Sequence, residues 1–473
     1  MKVLIINPPS VDGIKFVREG RCEQRLSSFQ YVMVPISLPS IAGVLRGKGY
    51  NVKIIDCIAE NLSIDDIVRV VSEFAPSLIV VNFSTATFDG DSGLVDAISK
   101  GCKGHITAIG THVTAVSEDS LKTTQLSSVV RGEPEATCLD LADCIKEGRS
   151  LSSVKGISYK TDGNILHNEA RKFIEDLDAL PFPARDLLDN RKYTLPVINK
   201  PYTLLISSRG CPYNCIFCTA KTYYGKKLRL RSSDSVLKEI EEVISRDKVN
   251  YITMWSDTFT LNRDFVVKIC EGIIAKGLKV SWMCNSRVDK VDKEILLLMK
   301  KSGCIGISYG VESGVQEILN NVEKGINIQQ IKDAFRRTRE AGIETLAHII
   351  FGLPGETKET IEKTIRFVID LDPDYAQFYC AIPFPGTEFY EMAKEKNWIV
   401  ADSWDRYELN QTIISTDQLS SDELKNAKVI AYRRFYLRPA YVLKRLKKIK
   451  SYRDLSMTVR QSVNFIKEWV LKG

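Results

Sequence analysis

Ser207-Ser208-Arg209-Gly210-Cys211-Pro212-Tyr213-Asn214-Cys215-Ile216-Phe217-Cys218 follows directly on a strand-like apolar run at 204–207. Three cysteines stand at CxxxCxxC spacing on what reads as a strand-end loop. A structural zinc site needs four ligands and usually pairs two knuckles. No second knuckle is present, and the chain has four histidines, His105, His112, His167 and His348. Three thiolates from one loop suit instead three corners of a cubane iron–sulfur cluster. The fourth iron then lacks a protein ligand, and an open coordination position marks a reactive centre. Zinc and an unrelated trio of cysteines stay open as alternatives. The other cysteines of the twelve are scattered, as in Ile54-Ile55-Asp56-Cys57, and read as buried small hydrophobes.

Downstream, strand-like runs at 251–255, 280–284, 305–309, 347–351 and 377–381 alternate with helical patterns such as Ile361, Ile365, Val368 and Leu371. With 204–207 they make six βα units, predicting a partial (β/α)6 barrel of TIM type over 196–410, with its chemistry at the C-terminal strand ends. Upstream, 1–145 holds five βα steps, the pattern of a Rossmann-like or flavodoxin-like α/β domain. Its strand ends carry Asn7-Pro8-Pro9, Ser84-Thr85-Ala86-Thr87, Gly110-Thr111-His112-Val113-Thr114 and Gly132-Glu133-Pro134-Glu135. Neither a GxGxxG nor a GxxxxGK[ST] loop occurs, which argues against nicotinamide and nucleoside triphosphate ligands. Residues 146–195 read as a linker with a hairpin at Asp162-Gly163. Residues 411–473 read as a small helical, basic C-terminal region.

The 473 residues suffice for two to four domains, with 44% hydrophobic and 26% charged residues, a globular mix. No run of 18 apolar residues and no signal-peptide pattern is found, so a cytoplasmic chain is expected. Of the net charge of +7, eleven Lys and Arg lie in 425–453 without an acid, leaving the remainder at −4. A basic tail on a mildly acidic body argues against nucleic-acid binding. Tyr432, Phe435, Tyr436, Tyr441, Val442 and Leu446 interleave with these charges. The segment reads as a solvated helix by default, with peripheral membrane contact or an anionic substrate as alternatives.

The cysteine loop resembles that of the radical S-adenosylmethionine enzymes, whose CxxxCxΦC hallmark has an aromatic residue where Phe217 stands. The resemblance implies a [4Fe–4S] cluster on Cys211, Cys215 and Cys218, with its unique iron chelating S-adenosylmethionine. One electron then releases a 5′-deoxyadenosyl radical. It further implies S-adenosylmethionine contacts along successive strand ends. Ser256 and Asp257 would lie near the methionine moiety and Arg287 would pair with its carboxylate, a task suited to a guanidinium fork. Gly310 and Glu312 would lie near the ribose, and Gly352 and Pro354 beside adenine. For each residue alone an ordinary structural role competes: a surface ion pair, a helix N-terminal charge, a turn.

A Rossmann-like domain before such a barrel is similar to the cobalamin-binding subclass, which includes radical methylases and the anaerobic oxidative cyclase of bacteriochlorophyll synthesis. The DxHxxG loop that ligates cobalt in many cobalamin domains is absent. Ser84, Thr85, Gly110 and Thr111 are carried over as cobalamin contacts by position only. His112 is a candidate axial ligand, against the ordinary reading of a hydrogen-bonding or surface histidine. The resulting expectation is a methyltransferase acting on an unactivated carbon through methylcobalamin. A ring-forming oxidative cyclase and a non-catalytic cobalamin or metal sensor are the alternatives. Tyr309 and Tyr379 are candidate proton donors. An organic substrate, hydrophobic or anionic, and a flavodoxin or ferredoxin-type electron donor are implied.

Overall fold

Residues 1–19, 24–25, 32–195 and 199–447 are described by the computed structural model. The first sheet contains β1 (Lys2–Asn7), β2 (Asn51–Asp56), β3 (Leu78–Asn82), β4 (His105–Ile109), β5 (Ser128–Val130), β6 (Ile157–Thr161) and β7 (Asn164–His167), in the order β2-β1-β3-β4-β5-β6-β7. The first five strands are parallel. Their order reverses between β1 and β3, and in such sheets ligands bind beyond the carboxyl ends at that switch. β1 is buried on both faces because helices cover both. Val3, Ile5, Leu78 and Val80 join one core, whereas Leu4, Ile6, Ile79 and Val81 join the other.

The hairpin expected within the linker is hydrogen-bonded antiparallel to β5 and extends this sheet. Asp162 and Gly163 both take positive φ, 47° and 77°, as a tight turn of matching twist demands. Pairing here covers a strand edge that would otherwise be exposed.

The second sheet contains β8 (Tyr202–Leu205), β9 (Tyr251–Met254), β10 (Ser281–Ser286), β11 (Cys304–Glu312), β12 (Glu344–Phe351) and β13 (Tyr375–Cys380), all parallel and in chain order. β12 shows the logic of its faces. Thr345, Ala347, Ile349 and Phe351 are buried, while the alternating Glu344, Leu346, His348 and Ile350 keep partial exposure. Ala347, Ile349 and Phe351 of the first set join the core shared with the helices.

Connecting segments tie the two units together. Tyr193 donates to Asp56 Oδ2 at 2.8 Å, at the end of β2. Arg185 donates to Thr203 Oγ1 at 3.2 Å, to the Leu204 carbonyl at 2.8 Å and to Glu239 at 2.5 Å. At the open edge of the barrel, tyrosines stand in for a neighbouring strand. Tyr436 accepts from the Ala376 N–H and donates to its carbonyl, at 3.0 and 2.8 Å, and Tyr432 accepts from the Phe378 N–H at 3.2 Å. The tail's aromatic residues Tyr432, Phe435 and Tyr441 are therefore buried against the barrel, while Val442 and Leu446 are exposed. The remainder of the basic region, 448–473, lies outside the described residues. Among those described, no helix is long and apolar enough to cross a membrane.

Arg185 and Glu239 are almost fully buried. Glu239 also pairs with Arg231, so removing Arg185 leaves the carboxylate one of its two cations and should cost less than the about 3–5 kcal/mol of a fully stranded charge. Arg185→Ala is expected to lower the urea midpoint accordingly; an unchanged midpoint would count against this brace.

Candidate active site

The base of the cysteine loop is a two-residue antiparallel bridge, Ser208–Arg209 with Arg229–Leu230. Gly210 turns the chain at φ +85°, and a Cβ there would collide with the Lys227 carbonyl. Its N–H donates to Asp257 Oδ2 at 3.1 Å. Further along, the N–H of Cys211 donates to the Gly225 carbonyl at 3.3 Å, and Ile216 is buried, its N–H on the Val322 carbonyl at 3.3 Å. The three cysteines are half-buried, while Pro212 and Asn214 are exposed. Among the described residues no three His, Cys, Asp or Glu side chains are disposed to hold one metal ion. Thiolates sharing a zinc would stand about 3.8 Å apart, from a Zn–S bond of about 2.3 Å in a tetrahedron. In a cubane each thiolate has its own iron. Three half-buried thiols on one loop are a donor set that fits a cluster of this kind.

The residues expected around S-adenosylmethionine are only partly aimed into open space. Ser256 and Asp257 line the cavity between the sheets, Ser256 hydrogen-bonded to Ser207 at 2.8 Å. Arg287 is engaged elsewhere. It donates to Asp289 at 2.9 Å and to the Lys324 and Gly325 carbonyls at 2.8 and 3.0 Å, with its guanidinium 3.4 Å from the Tyr213 ring centroid. It thus braces the cysteine loop against the 324–325 turn.

Glu312 sits at a β-bulge with φ +62°, uncommon for a residue with a side chain, and pairs with Lys324 Nζ at 2.5 Å. Gly310 makes room for this pair, since a Cβ there would stand 2.6 Å from Lys324 Nζ. Burial alone would lower the Lys324 pKa, but Glu312 and Cys215 carry it above the usual lysine value. Cys215 shows the reverse: burial pushes its pKa up and Lys324 is the strongest opposing influence. Phe217 packs on the barrel core, its ring centroid 6.0 Å from Lys324 Nζ. The bare side of Gly352 faces Leu424, whose Cδ1 would lie 3.0 Å from a Cβ, and Pro354 accepts from Asn321 at 3.0 Å. Gly352 therefore serves packing against the C-terminal helix Ser421–Tyr436. Glu356, next in that turn, is wholly buried with Oε2 on the Gly352 N–H at 2.5 Å and Oε1 unpartnered. Burial pushes its pKa up to about 8.

The two candidate tyrosines separate. Tyr309 points outward, buried among Thr338, its partner at 2.8 Å, and Phe335. Tyr379 stacks on His348 with centroids 5.8 Å apart and donates to Gln377.

Ser84, Gly110 and Thr111 of the first domain line the same cavity as Ser208, Trp255, Ser256 and Asp257 of the barrel. Thr85 is buried behind this wall and does not line the cavity. Neither does His112, which is buried between Phe88 and Trp404, at centroid distances of 4.7 and 5.0 Å. Its Nδ1 has no hydrogen-bond partner and burial pushes its pKa down to about 3, so it is neutral.

Sequence reading missed Arg18, Glu19 and the partners of Arg209. Arg18 underpins the cavity wall through the Pro8 and Pro9 carbonyls, at 3.0 and 3.1 Å, and Asp91 at 2.9 Å. Glu19, held by Ser37 Oγ at 2.8 Å, lines the cavity with its pKa raised by burial to about 7. Arg209 donates to Glu133 at 3.3 Å and to Glu135 at 3.1 Å, and Arg229 to Glu133 at 2.9 Å. These carboxylates at the end of β5 clamp the base of the cysteine loop. The strand-end sequence Gly132-Glu133-Pro134-Glu135 was the available signal; its partners are far away in the chain.

Residues 205–368 match the family model of the radical SAM superfamily, and residues 25–142 that of the B12 binding domain. An uncharacterized methyltransferase of Pyrococcus horikoshii is 33% identical over 94% of this chain and 94% of its own length. The anaerobic magnesium-protoporphyrin IX monomethyl ester cyclase of Rubrivivax gelatinosus is 29% identical over 86% of this chain and 74% of its own. The fold is shared with the radical S-adenosylmethionine methyltransferase TsrM of Kitasatospora setae, solved with cobalamin and a [4Fe–4S] cluster, at TM-score 0.71 and 16% identity over 98% of each chain.

The folded chain keeps the Glu356 proton up to about pH 8, whereas an ordinary glutamate releases it near 4.5. This group's contribution to stability is therefore full below pH 4.5 and is lost as pH rises through 8. Glu356→Gln should flatten that decline by roughly 4 kcal/mol. Urea midpoints at either end of the window, indistinguishable in slope between the two proteins, would refute the protonated state.

Proposed function

Because this chain belongs to the cobalamin-binding radical S-adenosylmethionine enzymes, we propose that it transfers a methyl group from S-adenosylmethionine to an unactivated carbon of an organic substrate. The observation that carries the reading is the single cavity walled on one side by the first domain's strand ends and on the other by the barrel's. Cys211, Cys215 and Cys218 would hold the cluster, and Ser84, Gly110 and Thr111 would contact the corrin. When bound, these groups supply the one-electron cleavage of S-adenosylmethionine and a carrier for its methyl group.

The chain's own residues provide position and enclosure. Asp257 fixes Gly210 at the start of the cysteine loop, and Arg287 fixes Tyr213 within it. The remaining residues that would contact S-adenosylmethionine, Glu312 above all, belong to the next strand ends. Phe83, Ile206, Tyr223, Tyr224 and Trp255 give the cavity an apolar lining that favours a hydrophobic substrate and limits water. Glu19, poised near neutrality, can hold or release a proton there. The required reductant is a flavodoxin or ferredoxin-type protein, and exposed Pro212 and Asn214 offer it a short approach to the cysteines. A second reading, oxidative ring formation without methyl transfer, is favoured only by similarity to the cyclase.

Anaerobically reconstituted protein, given candidate extracts, methyl-labelled S-adenosylmethionine and reductant, should place label in a product that gains one CH₂. Cys215→Ala should abolish both that label and 5′-deoxyadenosine. A product that loses hydrogens and stays unlabelled would select ring formation instead.

A further inference from the structure

Lys324 belongs to no helix or strand, yet it is buried, at 8% exposure, beside the cysteine loop. Lysines are almost never placed so unless something holds the charge. Several independent features of the fold converge on holding this one. The bulge in β11 and the left-handed backbone at Glu312 turn that carboxylate onto Lys324 Nζ. Strained backbone of this kind persists only where the surroundings over-determine it. The missing side chain at Gly310 opens the space that the ammonium enters. The turn itself is tied to the loop: the N–H of Ile216, between Cys215 and Cys218, donates to the Val322 carbonyl at 3.3 Å. Arg287 holds the Lys324 carbonyl at 2.8 Å.

We propose that Lys324 is a positioning residue whose ammonium stabilises the reduced state of the cluster held by the cysteine loop, with Glu312 tethering and partly offsetting its charge. This rests on the reading of Cys211, Cys215 and Cys218 as cluster ligands. Reduction adds one electron and no proton; the donor is a low-potential flavin or iron–sulfur protein, or dithionite in a test. The added negative charge is favoured by a nearby cation and opposed by a nearby anion, and burial keeps salt from screening either. A lysine that merely neutralised Glu312 would matter only while Glu312 is charged. Lys324→Met combined with Glu312→Gln would then keep the wild-type potential and overturn the proposal, which expects a more negative one.

The experiment uses the full chain, reconstituted anaerobically, as wild type, Lys324→Met, Lys324→Arg, Glu312→Gln and Lys324→Met combined with Glu312→Gln. Iron and sulfide content are measured first; wild type without a cluster would defeat the reading on which the proposal rests. Dithionite titration followed by electron paramagnetic resonance then gives the midpoint potential. Lys324→Met should make reduction about tenfold less favourable, about 59 mV more negative for one electron. Glu312→Gln should shift the potential in the opposite direction, and Lys324→Arg should stay near wild type. Equal potentials in wild type, Lys324→Met and Glu312→Gln, or shifts of the same sign, would overturn the proposal. Should Lys324→Met fail to assemble a cluster, the positive shift in Glu312→Gln is the deciding result, and its absence overturns the proposal alone.

Discussion

Two carboxylates from the end of β5, Glu133 and Glu135, meet two guanidiniums from the base of the cysteine loop, Arg209 and Arg229, with no side chain more than 4% exposed. Charges buried so deeply are tolerable only as a complete set, since losing one strands another in a low dielectric. Arg209 stands two residues before Cys211, and Arg229 lies across from it on the closing strand. The clamp therefore fixes where the three thiols stand relative to the first domain. The cavity follows from it: once the loop's base is locked to β5, the strand ends of the two sheets face each other across Ser84 and Gly110 on one side and Ser256 and Asp257 on the other.

Around that constraint the chain concentrates groups whose protonation or charge is unusual. Glu356 keeps its proton because backbone hydrogen bonds only partly offset its burial, Glu19 is held near neutrality, and His112 is uncharged. Lys324 stays charged because Glu312 faces it. Structural and reactive parts are thus distinguished less by residue type than by whether a partner exists. Arg287, with three of its five N–H groups committed to neighbours, is a brace in this state, and Gly352 is a packing glycine.

Local pattern was enough to read the cysteine spacing, the parallel strands and the Asp162-Gly163 turn, because each is settled within a few residues. It failed wherever the deciding contact is remote. Arg209 and Glu135 are 74 residues apart, Arg229 and Glu133 are 96 apart, and no periodicity links them. The hairpin reads as part of a linker because sequence shows that two strands pair with each other, not that β5 has a free edge. Tyr309 and Tyr379 looked alike, yet only the pleat decides which face each occupies, and irregular register along β11 hides that parity from a count. Lys324 carried no local signal; it became visible through the bulge and the glycine that accommodate it.

The central claim is that this buried clamp sets the spacing between the cysteine loop and the strand ends of the first domain. Pulsed electron paramagnetic resonance between cobalt(II) in cobalamin and the reduced cluster measures that spacing directly, in wild type and in Glu135→Gln. A single narrow distance in wild type that broadens or lengthens in the variant is the predicted result. An identical, narrow distribution in both proteins would contradict it.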